Sequence, residues 1–159
     1  MRKVITTIAF LVTLALSMSA VGETILCKPT DSVNARISPS TKSHVEGRYE
    51  CGDEIETDGV VKTDKQGRKW IHVIDAPFES GEVWVCSMYV QDSPVTVEKC
   101  HAYVCANGRT ALRRSPNGKR TKWLSNGTSL TVLAYSDEWA LTTIGYVSMS
   151  CIEFYGGEI

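Results

Sequence analysis

Two small β domains in tandem behind a cleavable leader are what this sequence predicts, and three observations lead there. Short runs rich in Val, Ile, Thr and Trp are bounded by Gly, Asp, Ser and Asn. No window carries a helical repeat of apolar residues. The landmarks of the first half return in the same order in the second. Composition agrees with an all-β globular chain: 43% hydrophobic and 22% charged residues, with twelve Gly and five Pro among 159 positions, exclude disordered and collagenous classes. The length suits one ordinary domain or two small ones. A formal charge of −1 and a pI near 6.3 exclude the broad basic surface of a protein that wraps nucleic acid.

The leader comes first. Arg2 and Lys3 precede an apolar run over 4–16, and small residues follow over 17–22, the three-part pattern of a secretory signal. Cleavage is predicted after Gly22, which places Ala20 and Gly22 at the two small-residue positions. The run falls short of the roughly 20 residues needed to span a bilayer. The mature chain is therefore expected to be secreted or extracytoplasmic, with no transmembrane anchor. Removing 1–22 leaves fifteen basic and eighteen acidic residues, a net charge of −3. Cys27 is no lipidation site, because Thr24-Ile25-Leu26 lacks the small residue that must precede such a cysteine.

The repeat follows. In the first half Asn34-Ala35-Arg36-Ile37-Ser38-Pro39 leads to Gly52-Asp53-Glu54-Ile55, then to Trp70-Ile71-His72-Val73, then to a run from Gly81 through Trp84 and Tyr89 to Val90. In the second half Ala111-Leu112-Arg113-Arg114-Ser115-Pro116 leads to Gly127-Thr128-Ser129-Leu130, then to Trp139-Ala140-Leu141-Thr142, then to a run from Gly145 through Tyr146 to Ile152. Strands are predicted over 54–61, 69–75, 82–86, 128–134 and 139–143. Asn107-Gly108, Asn117-Gly118 and Asn126-Gly127 mark turns, since Asn and Gly both tolerate the positive φ of tight hairpins. Closing each short sheet into a partly open barrel would hide its edges. The expected domains are 23–91 and a more divergent 105–159, with 92–104 as a linker running into the first strand.

Taken together, Asn34-x-Arg36-x-x-Pro39, Cys51-Gly52-Asp53, Trp70-x-x-Val73 and Gly81-x-x-Trp84-Val85-x-x-x-Tyr89-Val90 resemble the bacterial SH3-like (SH3b) domain. The second half is similar to a divergent member, with Tyr146 in place of Trp84 and Cys151 in place of Tyr89. The resemblance covers nearly all of the mature chain. It implies two SH3-like barrels, and an aromatic ligand face at Trp70, Trp84 and Tyr89 and at Trp139 and Tyr146. Trp and Tyr suit such a face because they bury much area and keep a polar handle; the competing reading of Trp84 and Trp139 is simply core.

Six cysteines in an exported chain predict disulfides rather than zinc, because Cys100 and Cys105 are the only close pair and no C-x-x-C occurs. In the barrel that the resemblance implies, first and last strands are neighbours, which would bring Cys105 to Cys151. Cys27 with Cys86 is the next expected pair, and Cys51 with Cys100 completes the set. Fifteen connectivities are open, and the residues alone choose none of them. A Cys105–Cys151 bridge, closing a loop of about 46 residues, would contribute about 3–4 kcal/mol.

Catalytic motifs do not appear. His44, His72 and His101 fall in no H-E-x-x-H or H-x-H spacing, and there is no G-x-S-x-G, P-loop or G-x-G-x-x-G. A small hydrolase would need a free thiol of lowered pKa beside a base. His72 reads as a strand residue, and Asp53, Glu54, Glu56 and Asp58 as a solvated face lacking calcium-ligand order. No metal or other cofactor is expected.

Charge is unevenly divided, −5 over 23–99 and +2 from Cys100 onward, and all six basic residues of the second half fall at Arg109, Arg113, Arg114, Lys119, Arg120 and Lys122. That cluster is a candidate for an anionic polymer, for docking on the acidic first half, or for plain solubility. The function expected is that of a secreted non-catalytic binding protein, whose target the resemblance implies to be cell wall peptidoglycan or another envelope peptide or polymer. The alternative is a secreted factor or inhibitor that binds a host or competitor protein.

Overall fold

Every strand pairing is antiparallel, and the strands fall into two sheets of seven. A computed structural model describes residues 22–155; apart from Gly22, the leader expected over 1–22 lies outside the described residues. The first domain comprises β1 (Glu23–Ile25), β2 (Val33–Arg36), β3 (Val45–Tyr49), β4 (Glu54–Thr63), β5 (Lys69–Ile74), β6 (Val83–Cys86) and β7 (Val90–Gln91). The second comprises β8 (Cys100–Val104), β9 (Arg109–Arg113), β10 (Arg120–Ser125), β11 (Ser129–Tyr135), β12 (Trp139–Thr142), β13 (Gly145–Ser148) and β14 (Ile152–Phe154). Single 3₁₀ turns, Ser87–Tyr89 and Met149–Cys151, precede β7 and β14. No α-helix occurs among the described residues.

The repeat read in the sequence is a repeat of topology. The first sheet runs β3-β2-β6-β5-β4-β1-β7, and the second runs β10-β9-β13-β12-β11-β8-β14, each strand in its counterpart's place. Register carries the equivalence to single residues. Arg36 pairs with Trp84 as Arg113 pairs with Tyr146, and Trp70 pairs with Cys86 as Trp139 pairs with Ser148. Each domain has its own core, Ile25, Ala35, Tyr49, Ile55 and Val85 in the first and Val104, Leu112, Leu124, Leu130 and Val147 in the second.

β8 occupies the end of the stretch read as linker and first-strand entry, and pairs with β11 and β14. Cys105 is the counterpart of Leu26: Leu26 N–H donates to Tyr89 O at 2.7 Å, and Cys105 N–H donates to Cys151 O at 2.9 Å. The loop from β1 to β2 is longer than that from β8 to β9, so the repeat cannot be extended backward at constant spacing.

The domains share a joint. Leu26, fully buried, packs against Ala134, Trp139, Leu141 and Tyr146 of the second domain. Around it Ser136 Oγ–H donates to Gln91 Oε1 at 3.1 Å, both groups buried, and Thr96 and Tyr135 exchange both backbone hydrogen bonds. β12 is buried at all four positions. Its Ala140 faces the second domain's interior, while Trp139 and Leu141 face the joint. A strand that is covered on both faces reads as a continuous apolar run rather than an alternating one.

Candidate functional site

Beside the joint the two domains enclose a cleft of about 730 Å³, within the range of small-ligand and peptide sites. From the first domain it takes Lys28 and Asp31 in the loop after β1, Arg48 near the end of edge strand β3, and Tyr89 in the 3₁₀ turn. From the second it takes Arg113 and Arg114 at the end of β9, together with Gly145 and Tyr146 at the start of β13.

Local structure fixes these groups. Arg113 Nη1–H donates to Gly118 O at 2.8 Å, which ties the guanidinium to the turn at Asn117-Gly118. Gly145 has φ +142, and a Cβ there would meet Arg113 O at 2.7 Å, so only glycine lets β13 cross β9 this closely. Tyr146 Oη–H donates to Leu26 O at 3.4 Å across the joint. In the loop, Asp31 N–H donates to Lys28 O at 2.8 Å.

Four cations and one carboxylate line the cleft, in a chain whose formal charge is −1. Cationic groups gathered in a recess focus their field and draw anions there. Burial pushes the phenols of Tyr89 and Tyr146 up, and the negative charge of neighbouring groups adds to it. Both therefore stay protonated, and with Tyr146 Oη–H given to Leu26 O, Tyr89 is the phenol that offers a donor to an anionic ligand.

Of the aromatic face expected from sequence, only Tyr89 and Tyr146 meet in the cleft. Trp70 is 2% exposed and donates its Nε1–H to Asp64 Oδ2 at 3.1 Å. Trp139 is buried in the joint. Trp84 does not line the cleft; it is largely buried, its ring stacked on His72 with centroids 4.7 Å apart and Lys62 Nζ 4.6 Å above it. There His72 Nδ1–H donates to Asp58 Oδ2 at 2.8 Å and holds that carboxyl below its ordinary range.

The basic cluster separates in space. Arg113 and Arg114 enter the cleft, while Arg109 and Arg120 clamp the exposed ring of Trp123, each guanidinium 4.4 Å from its centroid. Lys119 and Lys122 stay exposed. Lys28, Asp31 and Arg48 escape sequence reasoning, because they come from an irregular loop and an edge strand that carry no landmark. The acidic cluster also disperses: Asp53 Oδ2 accepts from Glu50 N–H within a turn, and Asp58 sits at the bulge of β4. Among the described residues no three metal-ligating side chains come together.

All six cysteines are thiols, and no two sulfurs stand at disulfide distance. Cys105 and Cys151 are joined backbone to backbone by the N–H···O bond given above, without a bond between their sulfurs. The other two expected pairs are not made either, and the side chain beside Cys27 is Cys51, not Cys86. The reason is the register just described: Cys27 lies one position beyond the counterpart of Cys105, and points at the β3–β4 turn.

No protein-family model and no curated protein matches this chain. Among solved structures, NlpC2 from Trichomonas vaginalis aligns with 12% identity and a TM-score of 0.32, over 87% of this chain and 49% of that one. The chain thus spans about half the length of that structure, and a likeness this slight assigns neither fold nor function.

Proposed function

We propose that this chain is an exported, non-catalytic binding protein built of two SH3b-like modules, and that the cleft between them holds an anionic envelope component such as a carboxylate-bearing stretch of peptidoglycan. The observation that carries the reading is the cleft itself: Lys28, Arg48, Arg113 and Arg114 gather around Tyr89 and Tyr146 where the modules meet. Arginine forks suit carboxylate and phosphate geometry, and the Tyr89 phenol adds a neutral donor. Both modules contribute, so the ligand belongs to the pair rather than to either module alone.

The test is cosedimentation of the mature protein with insoluble cell wall. Wild type is expected to pellet at low salt and to be released as salt rises. The Arg113→Ala, Arg114→Ala double variant should lose about tenfold or more in retention, as expected when charge-assisted hydrogen bonds are removed. Trp84→Ala should retain the wall, because Trp84 does not line the cleft. No pelleting at any salt concentration rejects wall binding. A stoichiometric protein captured from culture fluid, with no wall retention, would move the assignment to the protein-binding alternative.

A further inference from the structure

The two domains close one joint with different chemistry. In the second, turn 125–128 lies against the chain leaving β8: Gly127 N–H donates to Val104 O at 2.8 Å, and Ala106 N–H donates to Asn126 Oδ1 at 3.1 Å. In the first, turn 50–53 lies in the same way against the chain leaving β1, with Gly52 N–H donating to Ile25 O at 2.8 Å. Here Cys51 stands in the place of Asn126 and Cys27 in that of Ala106. Cys51 is the side chain beside Cys27, whose own Sγ–H donates to Asp31 O at 3.6 Å. Cys27 is buried and also lines the cleft, while half-buried Cys51 packs against both the first core and the interdomain cluster.

We propose that Cys27 and Cys51 are a redox pair, closing to an intradomain disulfide that clasps the exit of β1 to the β3–β4 turn. The neighbouring Cys27 outweighs burial and brings the Cys51 thiol down to about 7, so a thiolate is present near neutral pH. That thiolate attacks one sulfur of a small disulfide such as oxidised glutathione and expels a thiolate. The Cys27 sulfur, giving up its proton, then attacks Cys51 in the mixed disulfide and expels the second. Two protein thiols are oxidised by two electrons, one small disulfide is reduced to two thiols, and the protons end on the released thiols. The neighbour that favours the Cys51 thiolate is Cys27, not an imidazole base, which fits exchange rather than hydrolysis. The clasp rests on the first domain's geometry and is independent of what the cleft binds.

The experiment equilibrates the full mature chain with oxidised glutathione, alkylates the remaining thiols and maps disulfides by mass spectrometry of non-reduced digests. The expected result is a peptide pair joining Cys27 to Cys51. Reduction of wild type should lower Tm, and the Cys27→Ala, Cys51→Asn double variant should lack about 5–10 °C of that drop. This variant borrows the second domain's own Ala–Asn joint, and if it fails to fold the wild-type map decides alone. Linkage of either cysteine elsewhere, two alkylated thiols after equilibration, or a full drop in Tm in the double variant would overturn the proposal.

Discussion

Asp64 shows how one side chain organises a hairpin and anchors an aromatic. Its Oδ1 accepts the backbone N–H groups of Gln66 and Arg68, at 2.9 and 3.0 Å, and its Oδ2 accepts Arg68 Nε–H and Trp70 Nε1–H, at 2.8 and 3.1 Å. Desolvation alone would raise this carboxyl, yet the four donors hold it at about 2. The folded value lies below the ordinary 3.8, so the stabilisation is fully present above pH 3.8 and is lost as pH falls toward 2. Asp64→Ala leaves the buried indole N–H without its acceptor and should lower Tm at pH 7 by roughly 5 °C. Thermal melts of wild type and variant between pH 7 and 2 check both claims: the gap should close over the last two pH units, and a gap independent of pH would refute the role.

At the scale of elements, the twin strands β5 and β12 show what could be read from sequence and what could not. The order of landmarks, the tryptophan that opens each strand and the Asn-Gly turns were all readable, because β periodicity and turn chemistry are local. The burial of β12 on both faces was not, since it depends on where the other domain sits. A signal existed nonetheless: His72 on β5 is matched by Leu141 on β12, and Trp84 by Tyr146, so the second copy is apolar where the first carries an imidazole. Arg48 had no such signal, because its partners in the cleft come from the other sheet. The crossing of β13 over β9 supplies the test at this scale. Gly145 and Gly59 both have positive φ, but a Cβ at Gly59 meets open space whereas one at Gly145 meets Arg113 O. Gly59→Ala should cost about 1 kcal/mol from backbone strain, and Gly145→Ala about 2–3 kcal/mol once the clash is added. Urea unfolding distinguishes them, and equal costs would mean that the close crossing contributes nothing.

For the whole molecule, the decisive contact is asymmetric. The first domain presents Leu26 to the Tyr146 and Leu141 face of the second, but the second presents Cys105 at the equivalent position, and the first domain's matching face carries Asp58, His72, Glu82 and Lys62 around Trp84. A further module would find a charged surface there instead of an apolar one. Leu26 therefore orients the domains while contributing nothing to either separate core and lining no part of the cleft. Leu26→Ala should cost about 2–4 kcal/mol through the cavity it leaves, and the loss should fall on the coupling between domains rather than on either alone. Calorimetry is expected to resolve one wild-type transition into two in the variant. On the proposed function, cell wall retention should weaken even though every cationic side chain of the cleft remains. A single transition with undiminished retention would show that the domains hold their orientation without this contact, and the cleft would then owe its shape to the polar bonds at Gln91, Ser136 and Tyr135.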